Sequence, residues 1–388
     1  MNEKSGVKSK VVLLLVSALL QTITLISIML AGIQQTFPDK STATVQMIYS
    51  IAVGGGVVGT LFAGKAASFM TKKKYLLICL ALNLVAGAVG FIFHTSFVML
   101  AVASALVGIG TGSLPTLTAA IMAEYFEGEA RAKILSYQGI AVALGGIVFS
   151  ALAGVCAKIG WYGVFLIYFS NVVMFLLTLF LLPDGELEIA DRSEKVSIMN
   201  KHILLLLAML AFMALAYNTF GNNISFLVTE LKLGDTSTTG FITSVLMGGM
   251  IVGSVAEPYC YRVLKKFTST LDITLMACGL LICALAQNLA MIYIGSAVIG
   301  VGFGMYSPCI YSFMPEWSKP GMITMTMAIY AIVDKVVTML NPVIVTKAAA
   351  IIGNGAQPRF MLAVGIAAVG IVISIIGMKT IGSDEVVN

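Results

Sequence analysis

Twelve long apolar runs, separated by short polar connections, constrain this chain more than any other feature. A helix needs roughly 20 apolar residues to cross a bilayer. The runs fall at 11–33, 45–67, 75–93, 97–121, 134–157, 161–182, 203–228, 239–260, 270–287, 289–314, 321–347 and 360–380. The run at 270–287 is the weakest, because it begins with Asp272. Only 11% of the residues are charged, against about 25% in soluble domains, so lipid rather than water must solvate this chain. In lipid each backbone N–H and C=O has to be satisfied within its own segment, which selects helices. The expected fold is therefore an all-α membrane protein of 12 transmembrane helices. The first run, Val11 to Ile33, follows Lys4, Lys8 and Lys10 and is too long for a signal peptide core, so it is read as the first span.

A net charge of +5 suggests nucleic acid at first sight, but the basic residues sit in short clusters between apolar runs. Placing the N-terminus inside puts sixteen Lys and Arg in cytoplasmic segments and five in external ones. That bias predicts a multi-pass protein of the cytoplasmic membrane with both termini in the cytoplasm. The six cysteines are scattered without metal-ligand spacing, and His94 and His202 are the only histidines. No metal and no cofactor are expected.

The chain also repeats itself. Its longest polar connection, 183–201, lies near the centre and divides a six-helix bundle at 1–182 from a second at 202–388. Ser50 to Gly59, with Gly54-Gly55, matches Ser244 to Gly253, with Gly248-Gly249, at an offset of 194, and Lys72 falls on Lys266. Gly108, Gly110 and Gly112 match Gly300, Gly302 and Gly304 at an offset of 192, where Glu124 falls on Glu316. Two pseudo-symmetric six-helix halves in parallel orientation are an architecture for rocking one half against the other.

With these features the chain resembles the major facilitator superfamily along its whole length. Gly64 to Lys74 stands where that family has its loop signature G-x-x-x-D-R/K-x-G-R-R/K. Ser68 replaces the acidic residue, Phe69 the first basic one and Thr71 the second glycine. The second half keeps a similar remnant from Gly253 to Glu257, followed by Arg262, Lys265 and Lys266, with the acid retained. Glu124 through Arg131 and Lys133 is similar to the family's exit from span 4, and Gly160 to Phe165 to its start of span 6. Ser104 stands where many members have an arginine, and span 5 lacks the Gly-Pro pair typical of proton-driven exporters. The resemblance implies a secondary transporter of a small-molecule substrate, driven by protons or a counter-solute, and spans 1, 4, 7, 10 and 11 lining its path.

Several motifs are declined. Gly59 to Ala66 lacks the hydroxyl of a phosphate loop, and its glycines lie in an apolar helix, so no nucleotide is expected. The glycine runs of spans 4 and 10 follow no strand, and close helix packing accounts for them. No nucleophile or metal motif supports a membrane enzyme, so no enzymatic activity is expected.

The sharpest candidates are Asp334 and Lys335, in the middle of span 11. Each charge at that depth costs about 2.5–3.5 kcal/mol on insertion scales and has to face protein or water. Thr326, Tyr330, Asp334, Thr338 and Asn341 share one helix face, while Lys335 is turned about 100° away. Three readings stay open. The pair belongs to a structural ion network, or Lys335 neutralises an anionic substrate while Asp334 carries the coupling proton, or Asp334 recognises a cationic substrate. Further polar stripes run through Ser17, Gln21 and Thr24; Ser104, Thr111 and Thr118; Asn218, Asn222 and Ser225; and Ser296, Ser307 and Tyr311. Candidate substrate contacts are Lys335, Tyr330, Gln21, Asn218, Asn222, Thr111 and Tyr311, with interhelical hydrogen bonding as the alternative for each. Glu124, Arg131, Glu257, Arg262 and Glu316 are candidate parts of a cytoplasmic gate. The function expected is proton-coupled movement of a small organic, anionic solute by a monomer, with proton-driven export of amphipathic drugs or metabolites as the alternative.

Overall fold

The computed structural model describes residues 3–66, 70–125, 128–184, 201–317 and 323–384. Side chains within these ranges are described except at 3–7, 64–66, 123–124, 128–133, 135–136, 201, 266, 307–317, 323–328, 331 and 379–384. The described residues are helical apart from short connections. In chain order the helices are α1 (Glu3–Ala18), α2 (Leu25–Thr36), α3 (Thr42–Ala66), α4 (Lys72–Ile92), α5 (Phe97–Tyr125), α6 (Gly128–Cys156) and α7 (Ser170–Leu181). They continue with α8 (Lys201–Glu230), α9 (Thr236–Leu264), α10 (Thr268–Ala284), α11 (Leu289–Trp317), α12 (Ile323–Asn341), α13 (Lys347–Ala349) and α14 (Ala356–Asp384). Ten helical segments among the described residues are long and apolar enough to cross a membrane. The shorter α10 (Thr268–Ala284) and α12 (Ile323–Asn341) complete the twelve.

Local chemistry explains where the helices start and deform. Thr71 caps α4 by accepting from the amide of Lys74, and Asn288 caps α11 by accepting from Met291 N at 3.0 Å. The first span tightens into a 3₁₀ stretch at Leu19–Thr24, where Thr22 and Thr24 donate their hydroxyls to carbonyls three residues back, both at 2.7 Å. Pro342 lacks an amide proton, and the helix widens to π geometry over Pro342–Thr346. Gly355 turns into α14 at φ +105°, and Ala356 N then donates to Glu230 Oε2 at 2.7 Å.

The chain forms two compact units, one of Met1–Ser193 with Thr236–Phe241, the other of Glu194–Asp235 with Ile242–Asn388. The same helix crossing is built in each. In the first, Gly108 of α5 lies against the carbonyl of Ala52 in α3, and Gly112 against Gly56. In the second, Gly300 of α11 lies against the carbonyl of Leu246 in α9, and Gly304 against Met250. A hydroxyl donates across each crossing at 2.9 Å, from Thr60 to Gly112 O and from Ser254 to Gly304 O. These are the positions that the two sequence offsets pair. Backbones this close leave no room for a Cβ, so the glycines are where dispersion and carbonyl contacts hold helices that lipid would otherwise solvate equally well.

Candidate functional site

The second unit contains a cavity of about 130 Å³ between α8, α11 and α12. Leu210, Met213 and Ala214 of α8, Phe303 and Tyr306 of α11, and Tyr330 and Asp334 of α12 line it. The polar stripe of α12 explains its position, because the stripe divides in two. Thr338 and Asn341 are spent on α8: Asn218 Nδ2 donates to Thr338 Oγ1 at 2.9 Å, and Asn222 Nδ2 to Asn341 Oδ1 at 2.9 Å. Asn341 Nδ2 returns a bond to Leu215 O at 2.7 Å. One and two turns further back along α12, Asp334 and Tyr330 face the small side chain of Ala214, and the helices leave a gap. Phe303 completes the wall, stacked on Tyr217 with ring centroids 3.8 Å apart.

The lining therefore presents one carboxylate and two phenols to an apolar, aromatic space. Lys335 is not part of that lining. It is partly buried on the adjoining face of α12. Among the described residues neither Asp334 nor Lys335 makes an ion pair, in keeping with their separation around the helix.

The remaining candidates separate clearly. Thr111 is 1% exposed and sits inside a network of the first unit. Its hydroxyl donates to Asn83 Oδ1 at 3.1 Å and lies 3.4 Å from that of Thr22, while Asn83 Nδ2 reaches Asn171 and Tyr168 Oη donates to Thr22 O at 2.9 Å. Such bonding locks the first span to α4, α5 and the sixth span. Gln21 lies in the 3₁₀ stretch and is half-buried. Glu257 is buried, whereas Arg262 is exposed with its guanidinium 5.9 Å from the Tyr259 ring. The side chains of Glu124, Arg131, Tyr311, Glu316 and Thr326 lie outside the described residues.

Two buried groups escaped the sequence reading. Arg359, which directly precedes the last apolar run, is 8% exposed and donates to Asn223 Oδ1 at 3.0 Å. Asp272 is 0% exposed, although in the sequence it merely weakened the ninth apolar run. A lone acid inside an apolar run was its signal, but only the packing of α10 reveals that no water reaches it.

A helical membrane protein built from twice the same crossing, with an aromatic cavity bearing a carboxylate inside one unit, has the makings of a solute carrier. The sequence profile of the Major Facilitator Superfamily matches residues 11–271, and the chain belongs to that family of transporters. It is thus a multi-pass membrane transporter acting on a small-molecule substrate. Multidrug resistance protein MdtL of Escherichia coli (strain K12) is 24% identical to it over 293 residues, which cover 72% of this chain and 74% of that protein. Among solved structures, a peptide transporter POT in complex with sulfate superposes with a TM-score of 0.78 at 11% identity, covering 97% of this chain and 94% of that one. The nucleoside transporter NupG gives 0.76 at 12% identity, covering 95% and 99%. At these identities the structures establish the fold alone.

Proposed function

We propose that this protein is a proton-driven exporter of small, aromatic, positively charged solutes, and that a proton and the solute occupy Asp334 in turn. The carrying observation is the lining of the cavity: one carboxylate, two phenols and a phenylalanine, with Lys335 outside it. Aromatic faces attract cations and apolar rings alike, and a buried carboxylate holds either a proton or a cation but gains little from both. The similarity to a protein named for multidrug resistance supports this reading. In it the two bundles, 1–182 and 202–388 with the linker 183–201, alternate access to the site across the cytoplasmic membrane, both termini being cytoplasmic.

The test is a proteoliposome assay with tetraphenylphosphonium as the probe. An imposed pH gradient drives its accumulation by the native protein, and Asp334→Asn abolishes that accumulation. The loss of one charge-assisted contact of roughly 1.5–3 kcal/mol weakens binding about 10- to 100-fold. Unchanged accumulation by Asp334→Asn would sink the proposal. The second reading, an anionic solute neutralised by Lys335, rests on the proximity of Lys335 to Asp334 in the helix. It predicts that aromatic carboxylates, and not tetraphenylphosphonium, compete for binding, and that Lys335→Met removes the competition.

A further inference from the structure

Helices α8 and α12 run in the same direction and are joined in register by side-chain rungs. Asn218 Nδ2 donates to Thr338 Oγ1 and Asn222 Nδ2 to Asn341 Oδ1, both at 2.9 Å. The partners are 120 and 119 residues apart in sequence, so the register hardly changes from one rung to the next. Residues four apart share a helix face, and that step rises about 6 Å along the axis. The same register therefore sets Ala214 against Asp334 and, a further turn back, Leu210 against Tyr330. All four residues line the cavity. The pattern of α8 calls for an amide where Ala214 carries only a methyl group. The acceptor of that rung is in place, and its donor is missing.

Two further features of the lining bear on what could supply the donor. Tyr306 is 2% exposed, and its hydroxyl has no hydrogen-bond partner among the described residues. Phe303 is held flat on Tyr217, with ring centroids 3.8 Å apart and planes 16° apart, and offers a fixed face to an aromatic ring. A neutral amide would satisfy the oxygens of Asp334 and leave its charge uncompensated. A quaternary cation would balance the charge and leave the oxygens without donors. A primary ammonium brings charge and three N–H donors in one group, and its bond to a carboxylate is charge-assisted.

We propose that the solute completes the rung missing at Ala214: a protonated arylalkyl amine donates its N–H to Asp334 in the place that an amide of α8 would take. Ala214 is then a specificity-determining residue, because its small side chain keeps both the space and the acceptor open. This names the solute class of the cation site proposed above, and it rests on that reading for binding but not for the register of the ladder.

The experiment uses the purified full-length protein and two measurements. In the first, phenethylammonium and phenethyltrimethylammonium compete with tetraphenylphosphonium in equilibrium binding. The primary amine is expected to bind roughly tenfold more tightly, as a charge-assisted N–H bond provides, and equal binding overturns the amine assignment. In the second, Ala214→Asn supplies the rung from the protein. The expected result is a higher Tm and a loss of phenethylammonium affinity of about tenfold or more. Asp334→Leu in the same chain is expected to erase the gain in Tm, since the new amide then has no acceptor. A Tm that does not rise, a rise that survives Asp334→Leu, or native amine binding in Ala214→Asn refutes the missing rung. If Ala214→Asn does not fold, Ala214→Val fills the space without a donor, and native amine binding there refutes the role of Ala214 equally. If no cation binds the native protein, the reading of Asp334 falls and the amine with it, while the Tm comparison still decides the ladder.

Discussion

Asp334 and Lys335 are neighbours in sequence with different surroundings, and that difference makes separable predictions. Asp334 faces the cavity beside Tyr330 and Tyr306, so Asp334→Asn removes the one charge in the lining with little change of shape. Exchange of a neutral aromatic solute across proteoliposomes is expected to survive this change, while exchange of tetraphenylphosphonium is lost. Lys335→Met keeps the bulk of a side chain that lies outside the lining. Its expected result is tetraphenylphosphonium binding within about threefold of the native protein, the range of a charge not in contact with the ligand. A larger loss, measured by equilibrium binding to the purified protein, would draw Lys335 into the site. Asn341 tests the other half of the stripe. Asn341→Leu leaves Asn222 Nδ2 without its acceptor at 2.9 Å, which costs about 1–3 kcal/mol and lowers the Tm in detergent.

At the scale of helices, the matched crossings carry the architecture. Gly108 and Gly300 meet the backbones of Ala52 and Leu246, and backbone cannot step aside as a flexible side chain does. Gly300→Leu forces α9 and α11 apart and is expected to abolish folded protein, as judged by monodisperse yield on size exclusion. Gly221, whose surroundings leave open space for a Cβ, is the control: Gly221→Ala is expected to keep native yield and Tm. Equal behaviour of the two variants would mean that the close approach at Gly300 does not hold the unit together. The glycine pattern was legible in the sequence as an internal repeat, yet the repeat does not say which helices touch. The second unit answers that with a cross-helix hydroxyl at Ser254 where the first uses Thr60.

For the molecule as a whole, the distribution of Lys and Arg is the feature that sets orientation. Cysteines placed at Thr71 and Arg262 are expected to react in intact cells only with permeant reagents, and one placed at Lys40 with impermeant ones as well. Impermeant labelling at Arg262 would invert the topology.

The sequence by itself determined the solvent, the number and nearly the bounds of the spans, and the doubling of six helices into twelve. These follow from composition and from hydrophobic run length, which the bilayer reads one segment at a time. It also singled out Asp334, because a charge deep in an apolar run is conspicuous without neighbours. What only the tertiary structure decided is which polar groups are still available. Asn218, Asn222, Thr338 and Asn341 lie on stripes as suitable for a substrate as the one holding Asp334, but their partners are one another across α8 and α12. Thr111 is bound to Asn83 in the same way. Conversely, Asp272 looks like an ordinary helix-end acid until α10 and α11 close around it and leave both its oxygens unmatched. A hydrogen bond belongs to a pair, and sequence periodicity places only one member of each pair on a face.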